Sequence, residues 1–318
     1  MYAVIDIGSN TIRLVLYKRE AGELRQVLSS KEPAGLAGYL DPAGRLMPQG
    51  VRKAVDALHR FQAILESVRP DSVHAFATAS LRNITNTREV LDAIQTETGL
   101  AVRVLSGSEE AVFDYFGALR TLEPSEGLLV DIGGGSTELV LFREREVVSA
   151  CSLPMGSLNL YTRFVKDILP TGKELKAIRA YAGELLDSVR LSLPAGAALC
   201  GVGGSCRAVC ALEDELSGEG TGGKGFPCGR IQEMRRLLRT DRRRLLSALI
   251  KAAPDRIHTL LPGMAVLETV ARRYGCGHFS ASPYGVREGY LLYLLEGNEG
   301  GRFSASSLPE TPAFFQGD

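Results

Sequence analysis

Val4-Ile-Asp-Ile-Gly-Ser-Asn-Thr-Ile-Arg-Leu-Val-Leu16 and Val130-Asp-Ile-Gly-Gly-Gly-Ser-Thr-Glu-Leu-Val-Leu-Phe142 are two copies of one design. In each, an apolar run ends in Asp-Ile-Gly, small polar residues turn the chain, and β-branched residues and leucines resume. That pattern predicts a hairpin with buried arms. Gly8, Gly133, Gly134 and Gly135 carry no Cβ, so their backbone N–H groups can close on an anion. Ser9, Asn10, Thr11, Ser136 and Thr137 add polar side chains to the same turns. An acid opens each turn, Asp6 and Asp131. A carboxylate beside a phosphate cradle repels the phosphate unless a cation stands between them, so the pattern points to metal-bound phosphate.

Asp6 and Asp131 lie about one domain length apart, which predicts a duplicated half and not a short tandem repeat. Two similar α/β lobes are expected, with a phosphate ligand in the cleft between them, touched by a hairpin from each side. Glu123-Pro-Ser-Glu-Gly127 combines a helix stop with a polar turn. It sets the expected lobes at 1–124 and 125–296, with the terminal helix free to return to the first lobe. Residues 297–318 have little apolar periodicity and are expected to be a flexible tail.

The chain has 318 residues, 45% hydrophobic and 23% charged, enough for two cores. Its 37 Lys+Arg balance 37 Asp+Glu, so no global field favours nucleic acid or an acidic membrane as partner. No apolar run approaches bilayer length, and no leader pattern opens the chain, so a cytoplasmic protein is expected. The six cysteines form no paired Cys-x-x-Cys, which argues against zinc and for reduced core residues.

Between the hairpins the periodicity predicts a loop over Lys31–Gly50, a helix from Val51 to Val68 and a strand at Ser72–Ala77. A helix around Val90–Ile94 and a strand at Ala101–Leu105 follow. Ser106-Gly-Ser-Glu109 has capping-box spacing. Glu109 then folds back on the cap, and Glu110, about 100° further round the helix, is left as a free carboxylate able to take a proton from water. Otherwise both acids merely complement the positive helix end. Arg82, just past a strand end, can clamp a phosphoryl oxygen or sit solvated at a helix start.

In the second half, Thr171-Gly-Lys-Glu174 caps another helix. The run Ala197–Val202 enters Gly203-Gly204-Ser205, a third candidate phosphate site at a helix N-terminus or simply a tight turn. Glu138 lies either on the exposed face of an edge strand or beside a cation at the turn. With Asp131 it would hold Mg²⁺ or Mn²⁺ loosely, and Asp6 is a third candidate ligand. Glu213–Gly229 is expected to be a mobile Gly-rich loop. Arg230, Arg235, Arg236, Arg239, Arg242, Arg243 and Arg244 form a basic run: a solvated helix face or a track for a long polyanion.

Six ordered stretches resemble the exopolyphosphatase and guanosine pentaphosphate phosphatase family. They are Val4–Leu14, Ala77–Arg82, Leu105–Ala111, Val130–Glu138, Gly201–Ser205 and Tyr284–Gly289. The resemblance implies the actin-like, sugar-kinase and Hsp70-ATPase (ribonuclease H-like) two-lobed fold in its short form. It implies that Glu110 is the base for water, that Asp131 and Glu138 serve the metal, that Arg82 binds phosphate, and that loops around Ser9, Gly134 and Gly204 hold the phosphate chain. The implied reaction removes a terminal phosphate from inorganic polyphosphate or guanosine pentaphosphate by in-line attack of water. Neither nucleic acid nor a membrane is implied as partner, and a homodimer is compatible with it.

Two departures stand out. Gly35-Leu36-Ala37 occupies the position of an Arg-Leu-Gly, which removes one phosphate-directed cation. Cys206 follows Ser205 where Thr is common, which is expected to remove a hydroxyl from the third loop. The rival readings are an ATP-dependent kinase or ATPase on the same fold and a guanosine tetra- or pentaphosphate sensor with little turnover.

Overall fold

The computed structural model describes residues 1–20, 22–218, 220 and 225–296. The chain separates into two compact units, Met1–Glu110 and Ala111 onward. In the first unit, β1 (Tyr2–Ile7), β2 (Thr11–Glu20) and β3 (Glu23–Pro33) form an antiparallel meander. Next come α1 (Pro48–Val68), β4 (Ser72–Ala77), α2 (Ala79–Arg82), α3 (Thr87–Thr98) and β5 (Val102–Val104). The strand order is β3-β2-β1-β4-β5, with β4 and β5 parallel to β1. Phe61, Leu58 and Val55 of α1 and Ile94 of α3 pack with Ile5, Ile7, Leu14 and Leu16 in one core. Helix α1 starts at Pro48, three residues before the apolar stripe, because proline is pre-set for a first helical position.

Helix α4 (Gly107–Ala118) begins in the first unit and continues into the second. There β6 (Gly127–Ile132), β7 (Thr137–Arg143) and β8 (Glu146–Leu153) repeat the meander. α5 (Ser157–Phe164), α6 (Gly172–Asp187), β9 (Ala198–Val202), α7 (Gly203–Ser217), β10 (Phe226–Pro227), α8 (Gly229–Thr240) and α9 (Arg242–Ala252) follow. α10 (Leu260–Arg273), β11 (His278–Ala281) and α11 (Val286–Glu296) complete the unit. The order β8-β7-β6-β9-β11 reproduces that of the first sheet, with β10 added at the far edge. Both units therefore have the ribonuclease H-like strand order, and the duplication read from the hairpins holds at the level of topology.

Strand β6 is buried on both faces. Leu128, Val130 and Ile132 enter a core with Ile178, Val209 and Leu267, whereas Leu129 faces Val112, Tyr115, Val140 and Phe142. The latter face is the one covered by Ala111–Leu122, the α4 segment and the residues after it. The units divide inside α4 and not at the 124/125 turn. The physical reason is close helix packing: a Cβ on Gly117 would strike the Gly285 backbone, and one on Gly289 would strike Phe113. Val286 N–H also donates to Asp114 Oδ1 at 2.8 Å. Helix α11 is thereby fastened to α4 within the second unit.

Residues Glu213–Ser217, expected in a loop, complete α7. Glu213 is buried and accepts from Arg230 Nε at 2.8 Å. The tail expected at 297–318 lies outside the described residues, as does part of the 213–229 segment. No described helix is long and apolar enough to cross a membrane.

Candidate functional site

Each hairpin turn closes on itself with the same hydrogen bond. Gly8 N–H donates to Thr11 O at 3.2 Å and Gly133 N–H to Ser136 O at 3.0 Å. In the second turn, α5 takes the carbonyls: Ser157 N–H donates to Gly133 O (2.8 Å), Leu158 N–H to Gly134 O (3.0 Å) and Asn159 Nδ2 to Gly135 O (3.0 Å). A trans peptide points its N–H opposite its C=O, so the N–H groups of Gly134, Gly135 and Ser136 face away from α5 as a concave set of donors. In the first turn, Ala37 N–H donates to Ser9 O and Gly35 N–H to Asn10 O, which turns the N–H groups of Asn10 and Thr11 outward in the same manner. The third loop, Gly203-Gly204-Ser205, opens the 15-residue α7, whose first N–H groups have no intrahelical acceptor.

The hairpins differ at one register position. Asp6 lies directly opposite Arg13, but Asp131 lies directly opposite Glu138. Side chains opposite one another on antiparallel strands share a face, with Cβ atoms about 5 Å apart. The first turn acid thus has a cation as its cross-strand neighbour and the second has another acid. Glu138 is fully buried on a central strand, which overturns the edge-strand alternative, and Asp131 is only 9% exposed. Ser152, opposite Glu138 on β8, donates from Oγ to Glu138 Oε1 at 2.7 Å.

The Asp131 carboxylate rests on the Cα of Gly203, whose φ of +76° and lack of a Cβ make that approach feasible. Among the described residues no group of three or more His, Cys, Asp or Glu side chains forms a ligand set. Two adjacent buried carboxylates beside outward-facing N–H groups nevertheless fit Mg²⁺. That ion is commonly held by one or two carboxylates, with waters and phosphate oxygens completing its shell. Asp6 belongs to the other unit, opposite its arginine.

Arg82 and Glu110 are brought together. Arg82 Nη1 donates to Glu110 Oε2 at 2.7 Å and to Leu105 O at 3.0 Å, and the two side chains are 18% and 9% exposed. The capping box forms as expected, with Ser106 N–H to Glu109 Oε2 at 2.8 Å and Glu109 N–H to Ser106 Oγ at 3.1 Å. Glu109 also pairs with Arg103. Glu110 is therefore distinct from Glu109 as anticipated, but it is ion-paired with Arg82 and not a free carboxylate. The β1-β4-β5 order sets the α2 end beside the α4 start, which brings the pair within reach.

Arg256, not anticipated from sequence, lays its guanidinium against the Cα of Gly204. It ends a short 3-10 turn, Pro254–Arg256, far from any motif. Burial, followed by the Arg256 charge, lowers the pKa of nearby His258. Burial is also the main reason that Arg207, one turn into α7, is pushed below the usual guanidinium range, with Arg287 adding to the shift and Asp131 opposing it.

The Cys206 departure does not touch the third loop. Its side chain is fully buried in the core and Sγ lies 3.6 Å from Val130 O, so α7 phase points it inward. Burial first, then Asp131, raises its thiol pKa well above the ordinary value. All six cysteines are free thiols. Gly35 has a φ of +55°, a left-handed conformation that an arginine would adopt only under strain.

A model of the Ppx/GppA phosphatase family matches residues 15–297. The chain belongs to the Ppx/GppA phosphatase family. Curated relatives named guanosine-5'-triphosphate,3'-diphosphate pyrophosphatase include one from Aeromonas hydrophila, 29% identical over 94% of this chain. The alignment spans 60% of that relative's length. The crystal structure of the Aquifex aeolicus Ppx/GppA family member superposes with a TM-score of 0.75 at 26% identity, covering 95% of this chain and 99% of that one. An exopolyphosphatase from Cytophaga hutchinsonii shares the fold, with a TM-score of 0.80 at 22% identity over 93% of this chain and 98% of that one. The relatives so named are phosphoanhydride hydrolases. Within the Ppx/GppA frame, the resemblance assigns no role to Arg256, yet the structure brings it to the third loop.

Proposed function

We propose that this protein hydrolyses terminal phosphoanhydride bonds of guanosine pentaphosphate, inorganic polyphosphate or both. The observation that carries the reading is the cross-strand Asp131–Glu138 pair beside outward-facing N–H groups, an arrangement that favours a cation and phosphate together. The Aeromonas relatives' names support a guanosine substrate, and the family match supports phosphatase chemistry.

In this reading the N–H groups of Gly134, Gly135 and Ser136 and the first N–H groups of α7 hold phosphate oxygens, and Arg256 adds a positive charge at Gly204. Ser9, Asn10 and Thr11 offer the corresponding groups in the first unit. Asp131 and Glu138 hold Mg²⁺ or Mn²⁺, which when bound supplies neutralisation of the phosphate charge. Glu110 accepts the proton of the attacking water. Arg82 fixes the Glu110 carboxylate and yields part of its hydrogen bonding to a phosphoryl oxygen as the substrate enters.

The test is a phosphate-release panel with polyphosphate, guanosine pentaphosphate and ATP, with and without Mg²⁺, on the wild type and Glu110→Gln. Loss of turnover of about 10²–10⁴-fold in the variant, with binding retained, is expected for a general base. Unchanged turnover rejects Glu110 as the base, and ATP as the sole substrate rejects the reaction. A glycine where the resemblance expects a phosphate-directed arginine favours a second reading, binding of guanosine tetra- or pentaphosphate with little turnover. Tight binding without release in the same panel would select it.

A further inference from the structure

Although the chain has no net charge, one surface of its second unit is strongly basic. Helices α6, α8 and α10 enclose two adjoining cavities of about 450 and 460 Å³ that share Lys176 and Arg179. The second is lined by Lys173, Lys176, Arg179, Arg235, Arg236 and Arg239 with no acid, over a floor of Leu175 and Leu238. Arg272 extends the basic lining into the first, where Glu268 is the acid of the lining and Arg273 is paired with Asp187 at 3.2 Å.

Glu268 is almost fully buried and accepts from both Arg179 (3.3 Å) and Arg235 (2.6 Å). A buried carboxylate shared by two guanidinium groups leaves a fixed surplus of one positive charge where the cavities meet. It also removes much of the entropy cost that flexible cations otherwise bring to a binding surface. Arg179 Nε–H is buried and makes no hydrogen bond. A solvated helix face needs neither a buried anchor nor a concave lining.

We infer that this groove is a binding track for a linear inorganic polyphosphate chain, held outside the residues proposed for hydrolysis. The lining decides the ligand class. It offers cations to phosphate oxygens but no aromatic side chain, so it lacks the stacking platforms by which single-stranded nucleic acids are held. A polymer of phosphate alone needs nothing more. That the same polymer is also the substrate rests on the function proposed above; occupancy of the groove does not.

The experiment uses the full chain and a Lys173→Gln/Lys176→Gln/Arg236→Gln/Arg239→Gln variant, all four positions being solvent-exposed. A Lys173→Gln/Arg239→Gln variant provides a milder change. Binding of long-chain polyphosphate is titrated across salt concentrations, without divalent cations so that nothing is hydrolysed. The fourfold variant should bind at least tenfold more weakly. Its log–log salt dependence should flatten by about 3, at roughly 0.7 per released counterion for a single-stranded polyanion. The KM for guanosine pentaphosphate should not move.

Unchanged affinity and slope overturn the inference. So does a single-stranded RNA of matched charge that binds as tightly and loses as much. Polyphosphate binding that responds to the groove substitutions in a protein that releases no phosphate supports the groove while rejecting the proposed reaction.

Discussion

Glu138→Gln separates a metal seat from a buried structural pair. Glu138 and Asp131 are direct cross-strand neighbours with Cβ atoms about 5 Å apart, and two charged carboxylates held at a comparable separation would repel by about 3 kcal/mol at an effective dielectric of 20. Arg207, whose buried guanidinium feels Asp131, offsets part of this. A gain of about 1–2 kcal/mol is therefore expected for Gln in the metal-free protein. The amide oxygen can still accept from Ser152 Oγ, so that hydrogen bond is kept.

In the wild type, Mg²⁺ at 100 times its dissociation constant adds about 2.7 kcal/mol. For a unit of this size each kcal/mol shifts the melting temperature by about 2–4 °C. Thermal unfolding followed by circular dichroism, in chelator and in a Mg²⁺ series, reads both effects. The variant should melt above the wild type in chelator and show little response to Mg²⁺, so that the curves cross. A wild type indifferent to Mg²⁺ and Mn²⁺, or a variant less stable than wild type in chelator, would refute the argument.

Further outcomes follow from the neighbouring contacts. Gly203→Ala puts a Cβ into the Asp131 carboxylate and a non-glycine at positive φ, so it should lower stability by about 1–2 kcal/mol. It should also weaken the Mg²⁺ response, read by urea unfolding and cation titration; an unchanged cation midpoint would detach Asp131 from the seat. His258 has its pKa lowered mainly by burial, so the unfolded chain binds its proton more readily than the folded one. Its contribution to stability is present above the ordinary histidine value near 6.5 and is lost as pH falls from there through the lowered folded value. His258→Gln should therefore flatten unfolding free energy between pH 7.5 and 5, and a profile parallel to wild type would contradict this.

The hairpins, the helix N-caps at Ser106 and Thr171, and the separation of Glu109 from Glu110 were legible because each depends on residues within one turn of chain. Strands β3 and β8 were not read, since their alternation is broken by exposed polar residues such as Arg25, Gln26, Ser29 and Glu146. The Arg82–Glu110 ion pair needs the strand order, which no local pattern carries. Arg256 was missed for the same reason: it reaches Gly204 only through the packing of the second unit. The inward turn of Cys206 depends on the phase at which α7 leaves β9, so the substitution looked like a change to the ligand loop when it is a change to the core.

The cross-strand difference between the hairpins, arginine facing Asp6 and glutamate facing Asp131, also bears on how a duplicated gene can divide labour. Each turn is closed by the same glycine N–H to carbonyl bond, so a difference in charge at one cross-strand position is carried on a common backbone. In such a molecule, symmetry of scaffold and asymmetry of chemistry evolve on different parts of the chain. A designer wishing to exchange the charge character of the two hairpins would begin at Arg13 and Glu138, leaving the glycines as they are.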